Sequence, residues 1–258
     1  MTKPRFSVPE TLAEAQALLA GSGAAALVAG GQWIVPRLRR GADPAEHLIS
    51  THRLNELRGI NCSDGRLTIG AAETHAAIAT ADIVQNQCPV IAQIAGQIGD
   101  PATRNRGTFG GGLCADAARS DYSLALLGLD AVLTTSRRQI SAAALFAASD
   151  TPAFERDEIL VSVSFQPSTQ ASFRKRANRA SNTADAAIFV SRQPDRSHRV
   201  AVMGAHFPPA RLIDIETKLD QGADVEALQP FPSETAKSDY YTSQINTLWF
   251  NLVAEHPI

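Results

Sequence analysis

Two glycine-rich bends constrain this chain more than any other feature. The first is Val28-Ala29-Gly30-Gly31-Gln32-Trp33-Ile34, which overlaps the end of a short apolar run over residues 24–29. The second is Arg104-Asn105-Arg106-Gly107-Thr108-Phe109-Gly110-Gly111-Gly112. Glycine admits positive φ and lets a ligand rest on bare backbone. Successive N–H groups turned into one concavity form an anion nest, and a diphosphate needs many donors at once. Two such loops are suited to clasping one diphosphate from both sides. Taken singly, either is equally a tight turn. Neither reads GxGxxG with a following acid, nor GxxxxGKS, so neither a Rossmann nor a P-loop assignment stands.

The rest of the sequence alternates short helices and strands. Apolar spacing predicts helices over 9–19, 74–84, 90–98, 123–129, 211–219 and 240–254. Strands are expected at 24–29, 47–50, 55–61, 66–69, 130–135, 159–165, 171–175, 186–191 and 199–203, with Asp64-Gly65 as the hairpin turn between the third and fourth. Residues 100–112 hold a proline and four glycines and are expected to be irregular. The polar, proline-containing stretch 166–169 reads as a linker, which gives an α+β protein in two parts.

Cys62, Cys88 and Cys114 are far apart and form no CxxC, so neither a disulfide framework nor a chain-borne iron–sulfur cluster is expected. The six histidines show no metal-ligand spacing, and none is expected to bind metal. With 24 basic against 26 acidic residues, bulk charge does not suit nucleic-acid binding. No apolar run approaches the roughly 18–20 residues needed to span a bilayer. The first residues lack the apolar core of a secretory signal, so the chain reads as cytoplasmic.

Several segments, in order along almost the whole chain, resemble one family. Ala29-Gly30-Gly31-Gln32 matches its AGG(T/Q/H)(D/S)L pattern, and Ile98 through Gly111 matches IGxxxxRNxGTxGG. The segment from Asp121 through Ala131 is similar to its D-L-x-x-A-L-L-A-L-D-A helix. The DEIL at 157–160, Phe173-Arg174-Lys175, Pro209-Ala210-Arg211 and 216–219 follow in the same order. The family is the FAD-binding (medium) subunits of molybdenum hydroxylases, the xanthine dehydrogenase and carbon monoxide dehydrogenase group.

That resemblance implies more than composition can. It implies a two-subdomain, vanillyl-alcohol-oxidase-like (PCMH-type) FAD-binding domain over 1–166. A small C-terminal domain over 167–258 would follow, built of three strands plus helices. FAD would lie between them, its diphosphate on the loops Val28 to Ile34 and Thr108 to Gly112. Asp121 would reach the flavin's sugar-like chain, or else simply N-cap its helix. Leu160 would border the cofactor. Lys175 would sit near the isoalloxazine, or else be a solvated strand lysine. Arg104 and Arg106 are either phosphate partners or exposed arginines beside a turn.

The implied role is an oxidoreductase subunit that carries electrons. They would come from 2Fe-2S clusters on a small partner chain, after chemistry on a large molybdopterin-binding partner. The terminal acceptor would be NAD or another molecule. No acid–base dyad is expected, because the cofactor supplies the redox step. The chain departs from the family at Trp33 (usually Asp or Ser), at Gly112 (usually Asn or Asp) and at Ala117-Ala118-Arg119-Ser120 (usually small and proline-containing). Trp33 either covers the cofactor by stacking or fills a hydrophobic slot, and packing is the expectation. The departures keep open an assembly subunit that has lost FAD. A self-contained FAD oxidoreductase is the other alternative.

Overall fold

A computed structural model describes residues 4–42, 45–147, 154–178, 183–205, 207–224, 228 and 239–255. Three sheets organise them. The first is parallel, in the order β1-β3-β2, from β1 (Arg5–Ser7), β2 (Ala25–Val28) and β3 (His47–Ser50). Helices α1 (Leu12–Ala20) and α2 (Ile34–Arg39) connect its strands. Thr11 caps α1 by accepting from the Glu14 amide, so the helix starts later than Pro9. Ala15, Leu19, Ile49, Leu54 and Leu57 form this layer's small core.

The second sheet is antiparallel, in the order β4-β5-β8-β6-β7. It contains β4 (Ile60–Ser63), β5 (Arg66–Gly70), β6 (Val132–Thr135), β7 (Gln139–Ser141) and β8 (Leu160–Phe165). Asp64 and Gly65 both take positive φ at the β4–β5 turn, as a tight hairpin requires. The helices on this layer are α3 (His75–Thr80), α4 (Asp82–Gln87), α5 (Pro89–Gly96), α6 (Pro101–Arg106), α7 (Phe109–Ala115), α8 (Asp121–Gly128) and α9 (Ala142–Ala147). The single helix expected over 74–84 is two, because Ala81 is extended and interrupts the ladder.

Residues 100–112 are not irregular. Asp100 caps α6 by accepting from the Thr103 amide, with Pro101 at its first position. Thr108 then caps α7 by accepting from the Gly111 amide. Three glycines inside a helix cost about 1 kcal/mol each against alanine, so tertiary contacts must hold α7. Gly110 shows how: a Cβ there would lie 2.9 Å from the Ala71 carbonyl oxygen that its own amide bonds.

The third sheet is antiparallel, in the order β12-β11-β10-β9, from β9 (Ala171–Ala177), β10 (Ala184–Arg192), β11 (His198–Gly204) and β12 (Phe207–Arg211). It therefore has four strands, not three. The added β12 carries Pro208 and Pro209, which an edge strand tolerates because one side needs no donors. The packed helices are α10 (Ile213–Asp220) and α11 (Asp239–Glu255). Both faces of this sheet are covered. Phe173, Ala187, Phe189, Ala201 and Met203 join the large core around α8. Ala186, Ile188, Val190, Val200 and Val202 pack on Ile215, Ile245 and Trp249 from the other side. Double coverage explains why 186–190 is an unbroken apolar run instead of an alternation. Gly128 lets α8 lie against β10, since a Cβ there would fall 2.2 Å from Phe189 Cδ1. The sheets change between β8 and β9, but the largest core runs across that junction.

Candidate functional site

Both glycine bends face one cavity of about 660 Å³ between the first and second layers. They also touch each other. A Cβ on Gly30 would lie 2.0 Å from the Arg106 carbonyl oxygen and 2.7 Å from Gly107 Cα, so only glycine lets the loops meet. Gly31 adopts φ +73°, in the left-handed region that reverses the chain after β2.

The two bends are not equivalent. Among the described residues, nothing accepts from the backbone N–H of Ala29, Gly30, Gly31, Gln32, Trp33 or Ile34. Any helix start leaves its first amides unpaired, which accounts for the last of these. It does not account for a run that begins at Ala29. In the second bend the glycine amides and that of Phe109 are already used. Phe109 donates to Glu73, Gly110 to Ala71, Gly111 to Thr108 Oγ1 and Gly112 to the Thr108 carbonyl. The expectation of two bare-amide loops is thus corrected: the first offers donors, and the second supplies wall and close approach. The reason is that the second bend became a capped helix.

At the start of α8, Asp121 accepts from Lys175 Nζ at 2.6 Å. Their side chains are only 7% and 6% exposed. The other carboxylate oxygen, Oδ1, is buried with no partner and belongs to a cavity-lining residue. Burial raises the Asp121 pKa, with the Lys175 ammonium opposing it. Asp121 does not cap its helix: Ser120 holds that position, without a side-chain bond. His75, also on the wall, is held to a pKa of about 4 by burial and by the Arg104 charge, and its Nδ1 lies 3.1 Å from Tyr122 Oη. Glu158 lines the cavity as well. Burial pushes its pKa up, but Arg138, the Thr135 hydroxyl and the Glu155 amide outweigh this and bring it to about 2.

A family model described as the FAD binding domain in molybdopterin dehydrogenase matches residues 2–167. The chain belongs to this family. It is 32% identical over 170 residues to the carbon monoxide dehydrogenase medium chain of Hydrogenophaga pseudoflava, covering 63% of this chain and 59% of that one. It is 36% identical over 162 residues to the xanthine dehydrogenase FAD-binding subunit of Escherichia coli O157:H7, covering 61% and 56%. The matched stretch thus spans less than two thirds of either relative. The fold likeness is wider. A carbon monoxide dehydrogenase structure from Hydrogenophaga pseudoflava superposes with a TM-score of 0.84 over 99% of this chain and 97% of that one, at 22% identity.

The site fits the FAD of this molybdopterin-dehydrogenase family. Its unpaired amide run, the close-packed Gly30 and the orphaned Asp121 Oδ1 are the donors, cradle and acceptor that a diphosphate with a hydroxylated chain requires. Of the expected residues, Ala29, Gly30, Gly31, Gln32, Trp33, Ile34, Thr108, Gly110, Gly111, Gly112, Asp121 and Leu160 line the cavity. Val28, Phe109 and Lys175 do not. Val28 ends β2, and Phe109 is fully buried edge-on to Tyr122 at 4.7 Å. Lys175 stands behind Asp121 and is a buried ion-pair partner, not a solvated strand lysine.

Arg104 and Arg106 are not on the wall. Arg104 instead bonds the Ile98 and Gly99 carbonyls at 3.0 and 2.9 Å. The guanidinium groups on the wall are Arg119 and Arg156, and neither carries a hydrogen bond or ion pair to a described residue. Sequence reasoning noted Arg119 only as a departure from pattern and passed over Arg156, His75 and Thr183. Trp33 does not fill a slot. The residue is 45% exposed and lines the cavity, with the Arg37 guanidinium 4.3 Å from its ring centroid. No helix among the described residues is long and apolar enough to cross a membrane.

Proposed function

We propose that this chain is the FAD-carrying electron-transfer subunit of a molybdenum-dependent hydroxylase. In this reading residues 1–166 form the FAD-binding domain and 167–258 the C-terminal domain. Electrons arrive from 2Fe-2S clusters on a small partner and leave to a terminal acceptor. Substrate is oxidised on a large molybdopterin-binding partner. The observation that carries the proposal is the amide run Ala29 to Ile34 opening onto the same cavity as the orphaned Asp121 oxygen.

Bound FAD supplies the chemistry, exchanging electrons as pairs or singly. The chain binds and orients it. The Ala29–Ile34 amides take the diphosphate, with the Arg119 and Arg156 guanidinium groups adding positive charge. Asp121 Oδ1 accepts from a hydroxyl of the sugar-like chain, and Lys175 holds Asp121 in place. Thr108, Gly110, Gly111, Gly112 and Leu160 form the wall. His75, buried with its Nδ1 3.1 Å from Tyr122 Oη, is part of the same wall. The Trp33 and Gly112 departures leave the cavity open, which disfavours a chain that has lost FAD.

The test is the visible absorption of the purified full-length chain, followed by co-purification. Oxidised-flavin absorption, with a molybdopterin chain and a 2Fe-2S chain in the same complex, is expected. A folded chain that stays colourless when supplied with FAD would refute the proposal.

A further inference from the structure

We infer that Trp33 is the seat of the adenine ring of FAD, an extra recognition element that the family pattern does not carry. The inference rests on the FAD reading above. Trp33 stands next to last in the amide run, two residues after the reversal at Gly31, and it lines the cavity. A diphosphate held on those amides places one of its attached ring systems within reach of residue 33. Asp121, on the opposing α8, is assigned to the sugar-like chain on the flavin side. The flat ring left over is adenine. The cavity wall also includes Ile98, Gly99 and Thr103 beside α6, the helix whose last residue Gly30 touches.

The side chain is prepared for such a ring. It is one of the few large apolar groups left in water, at 45% exposure. Arg37 stacks over the indole at 4.3 Å, and its guanidinium is tied to the Ala42 carbonyl at 3.3 Å. The indole is therefore held from one side and keeps its remaining surface for a ligand. Stacking on an aromatic platform is tolerant of ring identity but needs a flat π-face. Asp or Ser at this position has none.

The chain contains two tryptophans, and Trp249 is fully buried in the C-terminal core. Red-shifted emission therefore reports Trp33. The experiment titrates FAD, FMN and ADP into the flavin-stripped full chain and into Trp33→Ala and Trp33→Phe. ADP is the decisive probe, because it does not absorb indole emission and quenches it only by contact. The expected results are quenching of the red emission by ADP and about ten-fold weaker FAD and ADP binding in Trp33→Ala. Near-wild-type binding in Trp33→Phe and unchanged FMN affinity throughout are also expected. Absence of ADP quenching, or FAD affinity unchanged in Trp33→Ala, overturns the inference while leaving the FAD reading intact. Loss confined to FMN overturns it too, since the indole then meets the isoalloxazine. A folded wild-type chain that binds no FAD overturns both.

Discussion

Replacing His75 with glutamine should flatten the acid side of the stability profile. His75 opens α3 on the cavity wall, 4% exposed, with Thr74 capping the helix. Burial, reinforced by the nearby Arg104 charge, lowers its pKa from 6.5 to about 4. Above pH 6.5 the ring is neutral in both the folded and unfolded chain and contributes no pH dependence. Between 6.5 and 4 the unfolded chain takes up a proton that the folded chain refuses. Unfolding is then favoured as pH falls, and the loss reaches about 3 kcal/mol by pH 4. Asp121 works in the opposite sense, because its raised pKa makes the folded state the better proton acceptor. The comparison must therefore be the difference between His75→Gln and wild type, not the wild-type slope alone. The assay is urea unfolding at half-unit steps from pH 7.5 to 4. The two curves should diverge below pH 6.5, with the wild type losing stability faster. Profiles that stay parallel across this range would refute the account of His75 as a buried neutral ring.

Other outcomes follow from the same geometry. Gly30→Ala places a Cβ 2.0 Å from the Arg106 oxygen, so the loops must separate; flavin content of the purified variant should fall at least about ten-fold. Lys175→Met leaves Asp121 buried and unpaired, which should cost about 3–5 kcal/mol in denaturant unfolding. The double variant Asp121→Leu with Lys175→Met should recover most of that stability but not FAD affinity; recovery of both would remove Asp121 from the site. Changing Arg119 and Arg156 to alanine together should weaken FAD binding, leave riboflavin binding unchanged and reduce the salt dependence of FAD affinity. Equal losses for FAD and riboflavin would show that these arginines do not meet the diphosphate.

Much of the site was readable from residue order, because backbone recognition leaves a glycine signature. Gly30, Gly31, Gly110 and Gly111 are each required by a close approach or a positive φ, and no other residue type serves there. Alternating or continuous apolar runs likewise marked most strands, since burial on one or two faces writes itself into the sequence. Four features were not readable. Whether the second glycine segment was loop or helix depended on Thr108 capping it and on Glu73 and Ala71, 36 and 39 positions back, accepting the Phe109 and Gly110 amides. The fourth C-terminal strand was hidden by its two prolines, which only an edge position permits. Trp33 as a cavity-wall ring depended on what did not cover it. Arg104 was held off the wall by the Ile98 and Gly99 carbonyls, and the positive charge beside the cavity came from Arg119 and Arg156.

The sequence by itself determined which backbone segments may touch a ligand, because absence of a side chain is a local property. The tertiary structure decided which of those segments still had donors to give and which charges stood beside them. A hydrogen-bond donor or a charge is available only when nothing else in the fold has already satisfied it.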